Sequence, residues 1–160
     1  MWQKYSTRGA TNRRKLEMGE DETIEAVLAS SRVIAIVGLS DRPDRSSHSV
    51  ARYLQREGYR IIPVNPNLTG PVFGEQPYPS LDDLPEPVDL VDIFRGSEDV
   101  PPVVDAAIRI GAPAVWMQLG IVHQQAALLA KAAGIEVVMD RCTAIEHRRL
   151  VGLGKLNTNR

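Results

Sequence analysis

Between residues 38 and 47 the chain gathers three hydroxyl groups, at Ser40, Ser46 and Ser47, and two guanidinium groups, at Arg42 and Arg45. Gly38 opens this stretch, and a glycine lets the backbone turn tightly and approach a ligand without a Cβ in the way. A helix starting at the serines would add free N–H groups carrying a partial positive charge. Arginine forks match the oxygens of a phosphate. These parts together make a phosphate site. A plain strand-to-helix connection with a Ser cap and solvated arginines would use the same residues, so position has to decide.

Position follows from the flanking elements. Residues 33–37 form a continuous apolar run, as expected of a strand covered on both faces. Ser46 and Ser47 are expected to cap the next helix, which runs through Tyr53, Leu54 and Arg56 to Gly58. Further strands are predicted at 61–64, 88–94, 114–119 and 135–139. Helices are predicted at 21–30, from Asp99 to Gly111, at 121–133 and at 143–150, with one short turn at 80–84. Strands thus alternate with helices, and right-handed crossovers require a parallel sheet. The expected fold is α/β: a Rossmann-like, doubly wound, five-stranded parallel sheet of order 3-2-1-4-5 with helices on both faces. Residues 1–20 and 151–160 are expected to be flexible ends around one domain at 21–150.

In such sheets ligands bind beyond the carboxyl ends of the strands, where the winding reverses. The candidates are therefore Gly38, Leu39, Ser40, Arg42, Arg45, Ser46 and Ser47 after the first strand, and Val64, Asn65 and Pro66 after the second. Phe94 and Arg95 follow the third strand, Gln118, Leu119 and Gly120 the fourth, and Asp140-Arg141-Cys142 the fifth. A dinucleotide site would carry Gly-x-Gly-x-x-Gly in the first loop and an acid at the end of the second strand. Here the loop reads Gly38-Leu39-Ser40-Asp41 and the strand ends in Val64-Asn65-Pro66. NAD is demoted, although Asn65 could still reach a ribose.

Catalytic candidates are sparse. His48 stands beside the phosphate loop, where a neutral ring could donate to a phosphate, but a surface position on the helix explains it equally simply. His123 and His147 fall on amphipathic helices as exposed or packing residues. Cys142 follows an arginine at a strand end, where a guanidinium could favour the thiolate, yet a small half-apolar residue at such a junction also packs well. No Ser-His-Asp order, Cys/His metal spacing or Walker loop is present. The paired acids Asp82 and Asp83 read as a solvated capping cluster. A binder is indicated rather than a catalyst.

Composition narrows the partners. The 160 residues are 43% hydrophobic and 24% charged with a formal charge of −1, which gives nucleic acid no electrostatic claim. Arg8, Arg13, Arg14 and Lys15 lie among Ser, Thr, Gly and Asn and read as a solvated tail. Cys142 is the single cysteine, so no intrachain disulfide is available and a reducing compartment is expected. No apolar run reaches the roughly 20 residues of a membrane span. Without a secretory signal at the start, a cytoplasmic protein is expected.

Read together, five segments resemble the stand-alone CoA-binding protein family, related to the N-terminal CoA-binding domain of the succinyl-CoA synthetase alpha subunit. They are Ile34-Ala35-Ile36-Val37-Gly38-Leu39-Ser40, residues 59–66 (Tyr-Arg-Ile-Ile-Pro-Val-Asn-Pro), residues 87–95 (Pro-Val-Asp-Leu-Val-Asp-Ile-Phe-Arg), Trp116-Met117-Gln118-Leu119-Gly120 and Val138-Met139-Asp140-Arg141-Cys142. The resemblance implies coenzyme A lying across the strand ends. Its diphosphate would sit near Gly38, Ser40 and the helix opened by Ser46 and Ser47, its adenosine near Val64-Asn65-Pro66. The pantetheine arm would pass Phe94 and Arg95 toward Gln118, Leu119 and Gly120. The synthetase domain has Thr-Glu-Gly after its fourth strand where this chain has Gln118-Leu119-Gly120, and no counterpart of its phosphohistidine domain is present. The expectation is a protein that binds CoA or an acyl-CoA and is not catalytic alone, with a homodimer or a partner enzyme subunit as possible assemblies. Two alternatives stand beside it: the CoA-binding subunit of an acyl-CoA ligase-type enzyme, and a redox sensor that binds NAD(H).

Overall fold

A computed structural model of the chain describes residues 18–157. The basic cluster at 8–15, and nearly all of the segment expected to be flexible at 1–20, lie outside the described residues. Helix α1 (Glu20–Ser30) leads into strand β1 (Val33–Val37), then α2 (Ser46–Arg56) and β2 (Arg60–Val64). After a single 3-10 turn at Leu81–Asp83 come β3 (Leu90–Ile93), α3 (Val100–Arg109), β4 (Ala114–Met117), α4 (Gln124–Ala132), β5 (Glu136–Val138) and α5 (Thr143–Gly152). All strand pairs are parallel.

Strand alternation divides the core into two layers. Ile34, Ile36, Leu90, Trp116 and Val138 face one side, where α1, α2 and α5 cover them with Leu28, Leu54 and Leu150. Ala35, Val37, Val91, Ile93, Val115 and Met117 face the other side, under α3 and α4. A strand buried on both faces reads as an unbroken apolar run, which is why Val33–Val37 was so plain in the sequence. The doubly wound α/β fold is as expected.

The strand order is not. It is β2-β1-β3-β4-β5 rather than 3-2-1-4-5, so β2 is an edge strand and β3 lies between β1 and β4. Pro63 supplies the physical reason. A central β2 would need ladder donors on both sides, and proline has no N–H. The Pro63 carbonyl instead accepts the Tyr78 N–H at 3.0 Å from the returning loop, and the Asn65 N–H donates back to the Tyr78 carbonyl at 2.9 Å. The Pro- and Gly-rich loop thus covers the end of β2 and carries the chain past β1 to its other side. Winding now reverses between β1 and β3, which makes the loops after those two strands neighbours.

Two smaller expectations also change. Ser46 and Ser47 are not caps; Arg45 holds that position in extended conformation, and α2 has no side-chain cap. The segment 151–160 is not loose throughout, because α5 continues to Gly152 and Leu156 is buried against the α1 side of the core. Trp116 on β4 is fully buried and donates its Nε1–H to the Arg141 carbonyl at 2.8 Å. It belongs to the layer under α1, α2 and α5.

Candidate functional site

Where the winding reverses, a cleft of about 860 Å³ opens beyond the carboxyl ends of the strands. That volume lies within the roughly 300–1,000 Å³ usual for small-molecule sites. Twelve of the expected residues share its wall: Gly38, Ser40, Arg42, Arg45, Ser46, Ser47, Asn65, Phe94, Arg95, Gln118, Leu119 and Cys142. Leu39 and Val64 do not, since both are buried in the core. Pro66 is exposed outside the cleft wall, and the Gly120 N–H donates to the Asp140 carboxylate at 2.7 Å. Val50, Gly96, Ile121 and Ile145 complete the lining.

The loop after β1 is held by its own residues. Gly38 has φ +89°, and its N–H donates to the Val64 carbonyl at 2.8 Å. A Cβ at this position would collide with the Phe94 carbonyl oxygen. Glycine is therefore demanded here by the neighbouring β3 loop as well as by the turn. Ser47 Oγ accepts the Ser40 N–H at 3.0 Å, and Ser40 Oγ accepts the Arg42 N–H at 3.1 Å. His48 Nδ1 lies 3.0 Å from the Ser40 carbonyl, an oxygen that only accepts, so the hydrogen is on that nitrogen. Its ring leans on Phe73 with centroids 4.6 Å apart. His48 is a brace for the loop.

The electrostatics favour an anion at one end of the cleft. Helix α2 begins there with no side-chain cap and no acid in its first turn. Its first N–H groups are thus left to solvent or to a bound oxyanion. Arg42 pairs with Asp44 at 3.2 Å on the exposed loop, whereas Arg45 and Arg95 make no ion pair among the described residues. Of the three arginines in the wall, those two have guanidinium groups uncommitted. Asn65 is already engaged: its Nδ2 donates to the Leu39 carbonyl and its Oδ1 accepts the Asn67 N–H, each at 3.0 Å. It ties the two loops together and leaves no carboxylate for a ribose diol.

Beneath the cleft lies a polar network that sequence reading missed. Asp92 on β3 is fully buried, with Thr143 at the start of α5 and Gln118 just after β4. Gln118 Nε2 donates to Asp92 Oδ1 at 2.7 Å and to Thr143 Oγ1 at 2.8 Å, and the Thr143 hydroxyl donates to Asp92 Oδ2 at 3.0 Å. Burial pushes the Asp92 carboxyl up to about 7, opposed by these hydrogen bonds and one from the Ile93 backbone. The folded state therefore holds the Asp92 proton more tightly than the unfolded chain does. Its contribution to stability is full below the unfolded carboxylate range and is lost as pH rises through about 7. Unfolding free energy should fall between about pH 4 and pH 7, by an amount bounded near 4 kcal/mol, and level off above that range. Urea melts of wild type and Asp92→Asn across that range check this, and parallel pH slopes in the two proteins would contradict it.

Cys142 is half-buried at the N-cap of α5 and faces the cleft. His123 caps α4, its Nδ1 accepting the Ala126 N–H at 3.1 Å, and the buried His147 meets the Tyr53 hydroxyl at 2.9 Å. Neither of these two histidines lines the cleft. Asp82 pairs with Arg109 at 2.9 Å and Asp83 accepts from the Ser80 hydroxyl. Among the described residues no group of three or more His, Cys, Asp or Glu could hold a metal, and no helix is long and apolar enough to cross a membrane.

Comparison with known proteins agrees with this architecture. The model of the CoA binding domain family matches residues 32–148, from β1 into α5. The Bacillus subtilis protein YneT is 42% identical over 124 residues, which cover 78% of this chain and 91% of YneT. A solved structure from Thermus thermophilus is 41% identical, with a TM-score of 0.78 over 83% of this chain and 99% of that one. The fold also recurs, at 23% identity and a TM-score of 0.64, in a dinucleotide-forming acetyl-coenzyme A synthetase of Candidatus Korarchaeum cryptofilum; the match covers 73% of this chain and 28% of that one. The fold is that of a Rossmann-like α/β domain with an all-parallel five-stranded sheet. The chain belongs to the CoA binding domain family.

Proposed function

We propose that the protein binds coenzyme A or an acyl-CoA in the cleft between the β1 and β3 loops, and that it acts as a binder rather than as a catalyst on its own. The observation that carries this reading is the uncapped N-terminus of α2, opening on a cleft that also holds Ser40 and the unpaired Arg45. Those groups suit the diphosphate: backbone donors in a positive field, one hydroxyl free to donate and one bidentate fork. Arg95, from the neighbouring loop, stands ready for a further phosphate oxygen. Leu119 and Ile145 are exposed large apolar residues in the same wall and suit the less polar arm.

A role as an NAD(H) sensor is disfavoured by Asn65, whose amide is occupied by Leu39 and Asn67 and which brings no carboxylate to a ribose. A CoA-binding subunit for a ligase-type partner would use the same cleft, and the shared fold of the archaeal synthetase keeps that assembly in view. Calorimetric titration of ligand-stripped protein with CoA, dephospho-CoA and NAD tests the reading. CoA should bind at least about tenfold more tightly than NAD, a difference of about 1.4 kcal/mol. NAD binding as tightly as CoA would overturn it.

A further inference from the structure

Gln118 has an unusual accounting. It is 3% exposed, and both hydrogens of its Nε2 are committed, one to Asp92 and one to Thr143. Its orientation follows when Asp92 is ionised: a carboxylate oxygen only accepts, so the amide atom 2.7 Å from Asp92 Oδ1 is the nitrogen. The amide oxygen therefore points the other way. No N–H or O–H among the described residues donates to it, it is not among the atoms sealed from solvent, and Gln118 is part of the cleft wall. A nearly buried side chain thus presents one acceptor, and no donor, to the cleft.

We infer that Gln118 Oε1 is a specificity-determining acceptor for an N–H donor of the bound ligand, with Asp92 and Thr143 as the positioning residues that aim it. The assignment rests on the reading of the cleft as a CoA site, and there the donor would be one of the two secondary amides of the pantetheine arm. A bound ligand that brought only acceptors to this spot would leave the oxygen unpaired and desolvated, which disfavours it. The anion end of the cleft selects for phosphate; this end selects for an amide.

The test separates the two ends. ADP carries the diphosphate but no arm. Titrations at about pH 8, above the range in which Asp92 takes up its proton, should find Gln118→Met binding CoA about tenfold more weakly while its affinity for ADP is unchanged. Thr143→Val should weaken CoA in the same selective way, and Thr143→Ser should restore it. On the wild-type protein, CoA analogues with either arm amide replaced by an ester should be compared with CoA. One of them should lose about tenfold, and that loss should vanish on Gln118→Met. If neither ester analogue is weakened on the wild type, or if ADP affinity falls in step with CoA in Gln118→Met, the assignment is wrong. Should Gln118→Met fail to fold, the analogue comparison on the wild type still decides. A wild-type protein that binds ADP but not CoA, or binds neither, would overturn the parent reading and this assignment with it.

Discussion

Gly38→Ala is expected to cost about 3 kcal/mol or more of stability, against about 1 kcal/mol for Gly74→Ala. Both glycines have positive φ, +89° and +78°, so both substitutions carry the strain of a left-handed side chain. They differ in what the new Cβ meets. At Gly74 there is nothing within 4 Å, whereas at Gly38 the Cβ drives into the Phe94 carbonyl. That carbonyl cannot swing aside freely, because the Phe94 N–H is tied to the Val37 carbonyl at 2.8 Å as the continuation of the β1–β3 ladder. Relief would have to come from parting β1 and β3 at the point where the cleft opens. Urea unfolding of the two variants measures the difference, and equal costs would show that the β3 loop does not constrain Gly38.

The second large effect is on the ligand. Ser40→Ala combined with Arg45→Ala should weaken CoA binding about thirtyfold at low ionic strength, less as salt screens the exposed guanidinium. Arg45 is the better choice than Arg42 because Asp44 already neutralises Arg42. Neither substituted side chain belongs to either core layer. The fold should therefore survive, although the loop loses the acceptor for the Arg42 N–H. Calorimetry on the double variant, with circular dichroism as the folding control, gives the answer. Unchanged affinity would move the phosphate cradle away from this loop.

The fold was legible where burial leaves a mark on composition. Two-sided burial made β1 and β4 read as apolar runs, and glycines after α2, α3 and α4 announced where helices stop. Strand order was harder, because each crossover is compatible with either side of β1. Pro63 carried the missing information: a residue without an N–H, within a strand taken as central, argued for an edge. The site was legible insofar as it consists of strand-end loops, and most of the expected residues share one cleft. What could not be read was the buried network. Asp92 looks like one polar interruption of an apolar strand, and its partners lie 26 and 51 residues further along the chain. Only the pairing of β3 with β4 and the docking of α5 above them bring the three together. The role of Ser47 was hidden for a similar reason, since its hydroxyl serves the Ser40 N–H in the loop before the helix rather than the helix that contains it.

The edge position of β2 also bears on the site. Placing β3 directly beside β1 sets Phe94, Arg95 and Gly96 against the Gly38 turn, so cationic groups from two loops border the same crevice. In the order 3-2-1-4-5 those loops would have been separated by β2, setting Arg95 two strand spacings, about 10 Å, from the Gly38 turn.

A crystal structure of the protein with coenzyme A bound tests the whole most directly. The expected result is diphosphate density against the first N–H groups of α2, beside Ser40 and Arg45, with the arm running along the β3 and β4 loops. Density for the cofactor elsewhere on the surface, with the crevice between β1 and β3 vacant, would contradict the assignment of this cleft while leaving the fold untouched.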